Sequence, residues 1–124
     1  MARILVADDA SDIRDVISMI LERAGHDVVA VADGAAAFEL HQTVDFDLII
    51  SDFSMPVLDG LELTRRVRAD GRSTIPILLV TASASDHELA AARAAGVSGH
   101  LSKPFRIAEL RDEVAALLEA EPGA

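Results

Sequence analysis

Three carboxylates and one ammonium carry most of the chemistry that this sequence can offer. Asp52 follows the apolar run Leu48-Ile49-Ile50-Ser51 and opens the turn Asp52-Phe53-Ser54-Met55-Pro56-Val57-Leu58-Asp59-Gly60. Asp8 and Asp9 follow an earlier run, Ile4-Leu5-Val6-Ala7. A carboxylate placed where a buried strand stops is held rigidly yet stays within reach of water. Three of them at two strand ends suit a hard divalent cation, which prefers oxygen ligands. The chain draws its positive charge from arginines and a single lysine, Lys103, which follows the run Ser98–Ser102. Thr81 closes the run Ile75–Thr81 and adds a hydroxyl.

As a set, these groups suit phosphoryl transfer to a carboxylate. Asp52 is the candidate nucleophile, since an ionised carboxylate can attack phosphorus to give an acyl phosphate. Mg²⁺, or Mn²⁺ in its place, held by Asp9 and Asp52 with Asp8 nearby, would offset the crowding of acids and neutralise phosphoryl charge. Lys103 would pair with one phosphoryl oxygen as a point charge, and the Thr81 hydroxyl with another. Close acids raise one another's pKa unless a cation compensates, so such a site is coupled to cation binding. Taken singly, each residue has an ordinary explanation. Asp59, before Gly60, reads as a turn and capping residue; Thr81 alone could be a plain strand residue and Lys103 a plain surface charge. Their convergence is the signal.

The elements that must position them follow from hydropathy patterning. Strand-like runs at Ile4–Ala7, Val28–Ala32, Leu48–Ser51, Ile75–Thr81 and Ser98–Ser102 alternate with helical patterns at Ser11–Ala24, Ala35–Gln42, Leu61–Ala69, Ser85–Ala95 and Arg106–Ala120. Several runs are apolar at nearly every position, as expected of parallel strands covered on both faces. Gly25 and Gly96 fall where left-handed helix caps are expected, and Ser11 and Asp33 suit N-cap positions. The pattern is an α/β fold, five β/α units in a doubly wound parallel sheet, where ligands bind beyond the carboxyl ends of the strands. All five chemically interesting residues fall at that edge. One domain is expected over residues 1–120, with 121–124 as a frayed tail.

Composition narrows the function classes. In 124 residues the formal net charge is −10, which opposes direct binding to nucleic acid or anionic lipid. Trp and Tyr are absent, so base-stacking platforms are not expected. Without cysteine there are no disulfides, thiolate metal sites or thiol nucleophiles, which fits the cytoplasm. No apolar run approaches bilayer-spanning length and no signal peptide opens the chain.

The Asp8-Asp9 pair, Asp52 with Met55-Pro56 and Asp59-Gly60, Thr81-Ala82, and Lys103-Pro104-Phe105 resemble the receiver domain of bacterial two-component response regulators. The resemblance covers essentially the whole chain. It implies a flavodoxin-like sheet of strand order 2-1-3-4-5, Asp52 as phosphoacceptor, Asp9 as a direct Mg²⁺ ligand, Asp8 acting mainly through water, and the Ser54 carbonyl as a further ligand. It also implies a cis peptide at Lys103-Pro104. One position departs from the pattern. An aromatic residue usually stands three before the lysine, and here it is His100. Two readings stand there, a plain strand histidine and a smaller polar switch gated by Thr81. His26, His41 and His87 read as scattered surface residues.

Helix periodicity adds a docking strip. Ile13, Ile17, Ile20 and Ala24 form one stripe of the first helix, while Val16 and Met19 step off toward solvent. The strip at Ile13, Val16 and Met19 would suit a histidine kinase or histidine phosphotransfer protein, unless Met19 only covers a neighbouring loop. The resulting expectation is a stand-alone switch that accepts phosphate, catalyses its own transfer and slow dephosphorylation, and shows a changed face to a downstream protein. It would be a monomer or a weak phosphorylation-dependent dimer. Two alternatives are a small aspartyl-phosphate hydrolase and a receiver fragment of a longer transcription regulator.

Overall fold

Runs without a polar break become the interior strands. In a computed structural model, which describes residues 2–69 and 73–119, β3 (Leu48–Asp52) and β4 (Ile77–Thr81) are buried almost throughout, as is β1 (Arg3–Ala7) beyond its first residue. The strands β2 (Asp27–Val31) and β5 (Gly99–Ser102) are half-exposed because they lie at the edges. The sheet is parallel, in the order β2-β1-β3-β4-β5. Expected and observed strands differ mainly at β4. Pro76 has no N–H for the ladder, so pairing starts one residue later, although its carbonyl still accepts from Ile49.

Five helices cover the two faces. One face carries α1 (Ser11–Arg23) and α5 (Ile107–Glu119), whose Ile17, Ile20, Leu21, Leu110 and Val114 pack on Ile4, Val6, Leu48, Ile50, Leu78 and Val80. The other carries α2 (Gly34–Thr43), α3 (Gly60–Ala69) and α4 (Asp86–Ala95), with Leu63 and Val67 against Leu5, Ile49 and Ile77. Side chains alternate between the faces along each strand, so one sheet feeds both cores. Each fully buried Leu or Ile contributes about 2 kcal/mol relative to exposure.

Helix ends follow the expected chemistry with one correction. Asp33 caps α2 by accepting the Ala36 N–H, and Ser85 with Glu88 forms a reciprocal capping box on α4. Gly25 and Gly96 take left-handed φ values of 97° and 110°. After α1 the N–H groups of Gly25 and His26 return to the carbonyls of Glu22 and Leu21. Ser11 does not cap α1. The cap is Ala10, with no side-chain bond, because the Ala10 N–H is already taken by Asp8 Oδ1 and Ser11 is helical. The expectation of scattered surface histidines also needs correcting. His26 is half-buried and its Nδ1 accepts the Ala2 N–H, and His41 is half-buried as well. The tail at 121–124 and Ala120 lie outside the described residues.

Candidate metal centre

Register alone brings the site together. The pairs Ala7↔Ser51, Asp52↔Val80 and Thr81↔Ser102 set β1, β3, β4 and β5 level at their carboxyl ends. Asp8, Asp52, Thr81 and Lys103 each sit within one residue of that level, and the Lys103 N–H donates to the Thr81 carbonyl at 2.8 Å. The Lys103–Pro104 peptide is cis.

Asp8 is the fixed point. Only 1% exposed, it has each polar atom engaged. Its N–H donates to Val31, its Oδ1 accepts from the Ala10 N–H at 2.9 Å, and its Oδ2 accepts from Lys103 Nζ at 3.0 Å. Arg14 Nη1 donates to its carbonyl at 2.7 Å. Lys103 Nζ also lies 3.5 Å from Asp52 Oδ2, so one ammonium spans two carboxylates. Asp9 is exposed on the cleft side.

One oxygen from each of Asp8, Asp9 and Asp52 lies within 4.8 Å of the others. Two ligands of a single Mg²⁺ at about 2.1 Å can be at most about 4.2 Å apart. A few tenths of an ångström of side-chain rotation would close the difference, and all the donors are oxygen. The donor set fits Mg²⁺. Ser54 is exposed and, with Asp9, Met55, Pro56 and Asp59, lines an open cleft of about 370 Å³ beside the acids. Asp59 itself caps α3, accepting the Glu62 N–H at 2.8 Å, as its place before Gly60 suggested.

The electrostatics are strained. Burial, and next the Asp8 charge, raise the Asp52 pKa above the ordinary carboxylate value; Lys103 and a Ser54 backbone hydrogen bond offset this in part. For Lys103, burial alone pushes the pKa down. The Asp8 hydrogen bond together with the Asp52 and Asp8 charges outweighs burial and leaves it raised.

Thr81, 5% exposed, is turned onto its own loop: its hydroxyl donates to the Ser83 carbonyl at 3.0 Å and accepts the Ser83 N–H at 3.2 Å. His100 is exposed, on the side opposite Leu101, which packs on the α1/α5 core. It borders a 40 Å³ depression with Leu89 and Arg93 of α4. Val16 and Met19 project from α1, 40% and 47% exposed, whereas Ile13 is half-buried against the core.

Two supporting residues, Arg14 and Gly34, escaped the sequence reading, and Gly60 figured in it only as the end of the turn after Asp52. Arg14 pins the Asp8–Asp9 peptide; the available signal was an arginine in the first turns of the helix that follows the acid pair. A Cβ on Gly60 would meet the Asp52 carbonyl and the Leu79 side chain. One on Gly34 would strike the Leu58 carbonyl, in the loop that carries Ser54. Neither close approach leaves a trace in hydropathy.

Comparison with known proteins agrees with this geometry. The "Response regulator receiver domain" family matches residues 4–115. The chemotaxis protein CheY of Pseudomonas aeruginosa is 36% identical over 123 residues, covering 98% of this chain and 99% of that protein. CheY-3 of Vibrio cholerae is 33% identical over 94% of this chain and 92% of its own length. The solved structure of V. cholerae CheY4 superposes with a TM-score of 0.89 at 36% identity, covering 94% and 98% of the two chains. The receiver domain of a P. aeruginosa sensor histidine kinase, solved with a magnesium ion coordinated in its active site cleft, gives 0.87 at 34% identity over 96% and 98%.

Proposed function

The chain belongs to the response regulator receiver family, a phosphorylation-dependent signalling switch, and from that premise we propose that Asp52 is its phosphoacceptor. The observation that carries this is the Lys103 ammonium, shared between Asp8 and Asp52 at the carboxyl edge of the sheet. An Asp52 oxygen attacks phosphorus, the O–P bond forms, and the P–N bond to a donor imidazole breaks with its electron pair going to nitrogen. Asp9, Asp52 and the Ser54 carbonyl would hold Mg²⁺, with Asp8 acting through water, and the ion would supply positive charge for the phosphoryl oxygens. Lys103 stands ready to pair with one of those oxygens. Thr81 gives up its bonds to Ser83 and turns to another.

His100, on the Thr81 side of β5, then couples occupancy of the site to the α4–β5 face. The chain catalyses its own phosphorylation and slow dephosphorylation. A histidine kinase or histidine phosphotransfer protein in the cytoplasm supplies phosphate, docking over Val16 and Met19, and a downstream protein reads the result. Among the described residues no helix is long and apolar enough to cross a membrane. Incubation with acetyl phosphate and Mg²⁺, read by intact mass, should add one phosphoryl group to wild type and none to Asp52→Asn. Equal labelling of both would refute the assignment.

A further inference from the structure

Of the three clustered acids, Asp9 is the one whose side chain the fold leaves alone. Its carboxylate is exposed and makes no hydrogen bond or ion pair among the described residues. Its main chain, by contrast, is held from both sides. Ahead of it, the Asp8 N–H donates to Val31 and the Asp8 carbonyl accepts from Arg14 Nη1 at 2.7 Å. Behind it, the Ala10 N–H donates to Asp8 Oδ1 at 2.9 Å. Of these bonds only the one from Arg14 reaches the peptide that joins Asp8 to Asp9, and a charged donor makes it a strong one.

The partner that half-buried Arg14 takes is unusual for a guanidinium. Asp8, Asp9, Asp12 and Asp15 all stand close to it in sequence, yet it forms an ion pair with none of them and donates to a neutral carbonyl. On the Asp9 carboxylate it would compete with an incoming cation. On the carbonyl it fixes the backbone and leaves the ligand oxygens open.

We infer that Arg14 is a positioning residue of the cation site, which holds the Asp8–Asp9 peptide so that the Asp9 carboxylate stands open to the cleft and thereby sets a preference for Mg²⁺ over the larger Ca²⁺; this rests on the reading of Asp9 as a cation ligand. Mg²⁺ demands near-octahedral oxygens at about 2.1 Å, whereas Ca²⁺ accepts flexible shells at about 2.3–2.6 Å. A fixed carboxylate therefore serves Mg²⁺ more than Ca²⁺, and a loosened one can still follow Ca²⁺. Charge alone predicts the opposite sign, since removing a cation beside clustered acids should tighten the binding of both metals.

Titration calorimetry of the full chain with MgCl₂ and with CaCl₂, at one ionic strength, reads the difference. Arg14→Met removes both donor and charge, and should weaken Mg²⁺ binding on the order of ten-fold, as the loss of an outer-shell partner does. Ca²⁺ binding should weaken by less than about three-fold. Arg14→Lys keeps a charged donor and should restore most of the Mg²⁺ affinity and of the selectivity. Unchanged or tighter Mg²⁺ binding by Arg14→Met would overturn the inference. So would an equal loss for both metals, the mark of a general structural defect. Should circular dichroism show that Arg14→Met does not fold, Arg14→Gln, uncharged and too short for the carbonyl, takes its place with the same expected outcomes. Asp9→Asn, titrated in parallel, separates the two readings. Mg²⁺ binding as tight as that of wild type would remove Asp9 from the site, while its loss there with unaltered binding by Arg14→Met counts against Arg14 alone.

Discussion

The two ends of the sheet treat their polar groups in opposite ways. At the amino end they are used up by the fold. The Ile77 N–H at the start of β4 donates to Ser98 Oγ at 3.0 Å, Arg3 N–H to Asp47, and Ala2 N–H to His26. At the carboxyl end three acids cluster and two of them share one lysine, Asp52 is held with a raised pKa, and Val57 sits at φ 71° while 84% exposed. A β-branched residue in the left-handed region is strained. The amino end is built for stability. The carboxyl end keeps binding capacity that the fold does not use, at some cost to stability.

Asp52→Asn should expose that cost most sharply. It should remove all phosphoryl uptake, yet raise the melting temperature in the absence of Mg²⁺ by on the order of a few degrees, measured by calorimetry. The sign follows from linkage. A carboxyl raised on folding is destabilising once ionised, so the Mg²⁺-free protein should gain stability as pH falls through the folded Asp52 pKa toward the unfolded value near 3.8. Lys103, also raised, adds stability that persists below its unfolded value of 10.5 and is lost as pH rises through its folded pKa. Mg²⁺ affinity by titration calorimetry should weaken over the same acid range, because a protonated Asp52 is a poor ligand. A lower melting temperature for Asp52→Asn would show that the carboxyl end is not strained.

Gly60→Ala should cost about 2 kcal/mol, since its Cβ meets backbone that cannot easily yield. Denaturant midpoints would measure it, and Mg²⁺ affinity should fall as well because the displaced carbonyl belongs to Asp52. Ser98→Ala, at the amino end, should cost about 1 kcal/mol through the orphaned Ile77 N–H and leave Mg²⁺ affinity unchanged. An effect of Ser98→Ala on Mg²⁺ binding would blur the division between the ends. The smallest effect should come from Val57→Asn, a gain of about 0.5–1 kcal/mol, because Asn tolerates the left-handed region better.

The sequence shows why the carboxyl end was the easier one to read. Uninterrupted runs such as Leu48–Ile50 announce buried strands, and an acid directly after such a run has a definite place in space. Asp8, Asp52, Thr81 and Lys103 were therefore placed together from local pattern and order. The missed residues act across the chain. Arg14 reaches a backbone carbonyl, and Gly34 makes room for backbone from another element. His26 looked like a surface residue because its acceptor role depends on Ala2 passing beside it. Ser11 suggested a cap by type alone, whereas Asp8 Oδ1 had already reached the backbone one residue earlier.

The Asp8–Lys103 bond joins residues 95 positions apart, from the first strand to the last. Closing so long a loop is entropically unfavourable, and the contact forms only when the intervening units are in place. A chain still emerging from the ribosome, with β5 unmade, has its acids but not the ammonium that organises them. The cluster in which one ammonium is shared by two acids is therefore a property of the finished fold and of no partial one.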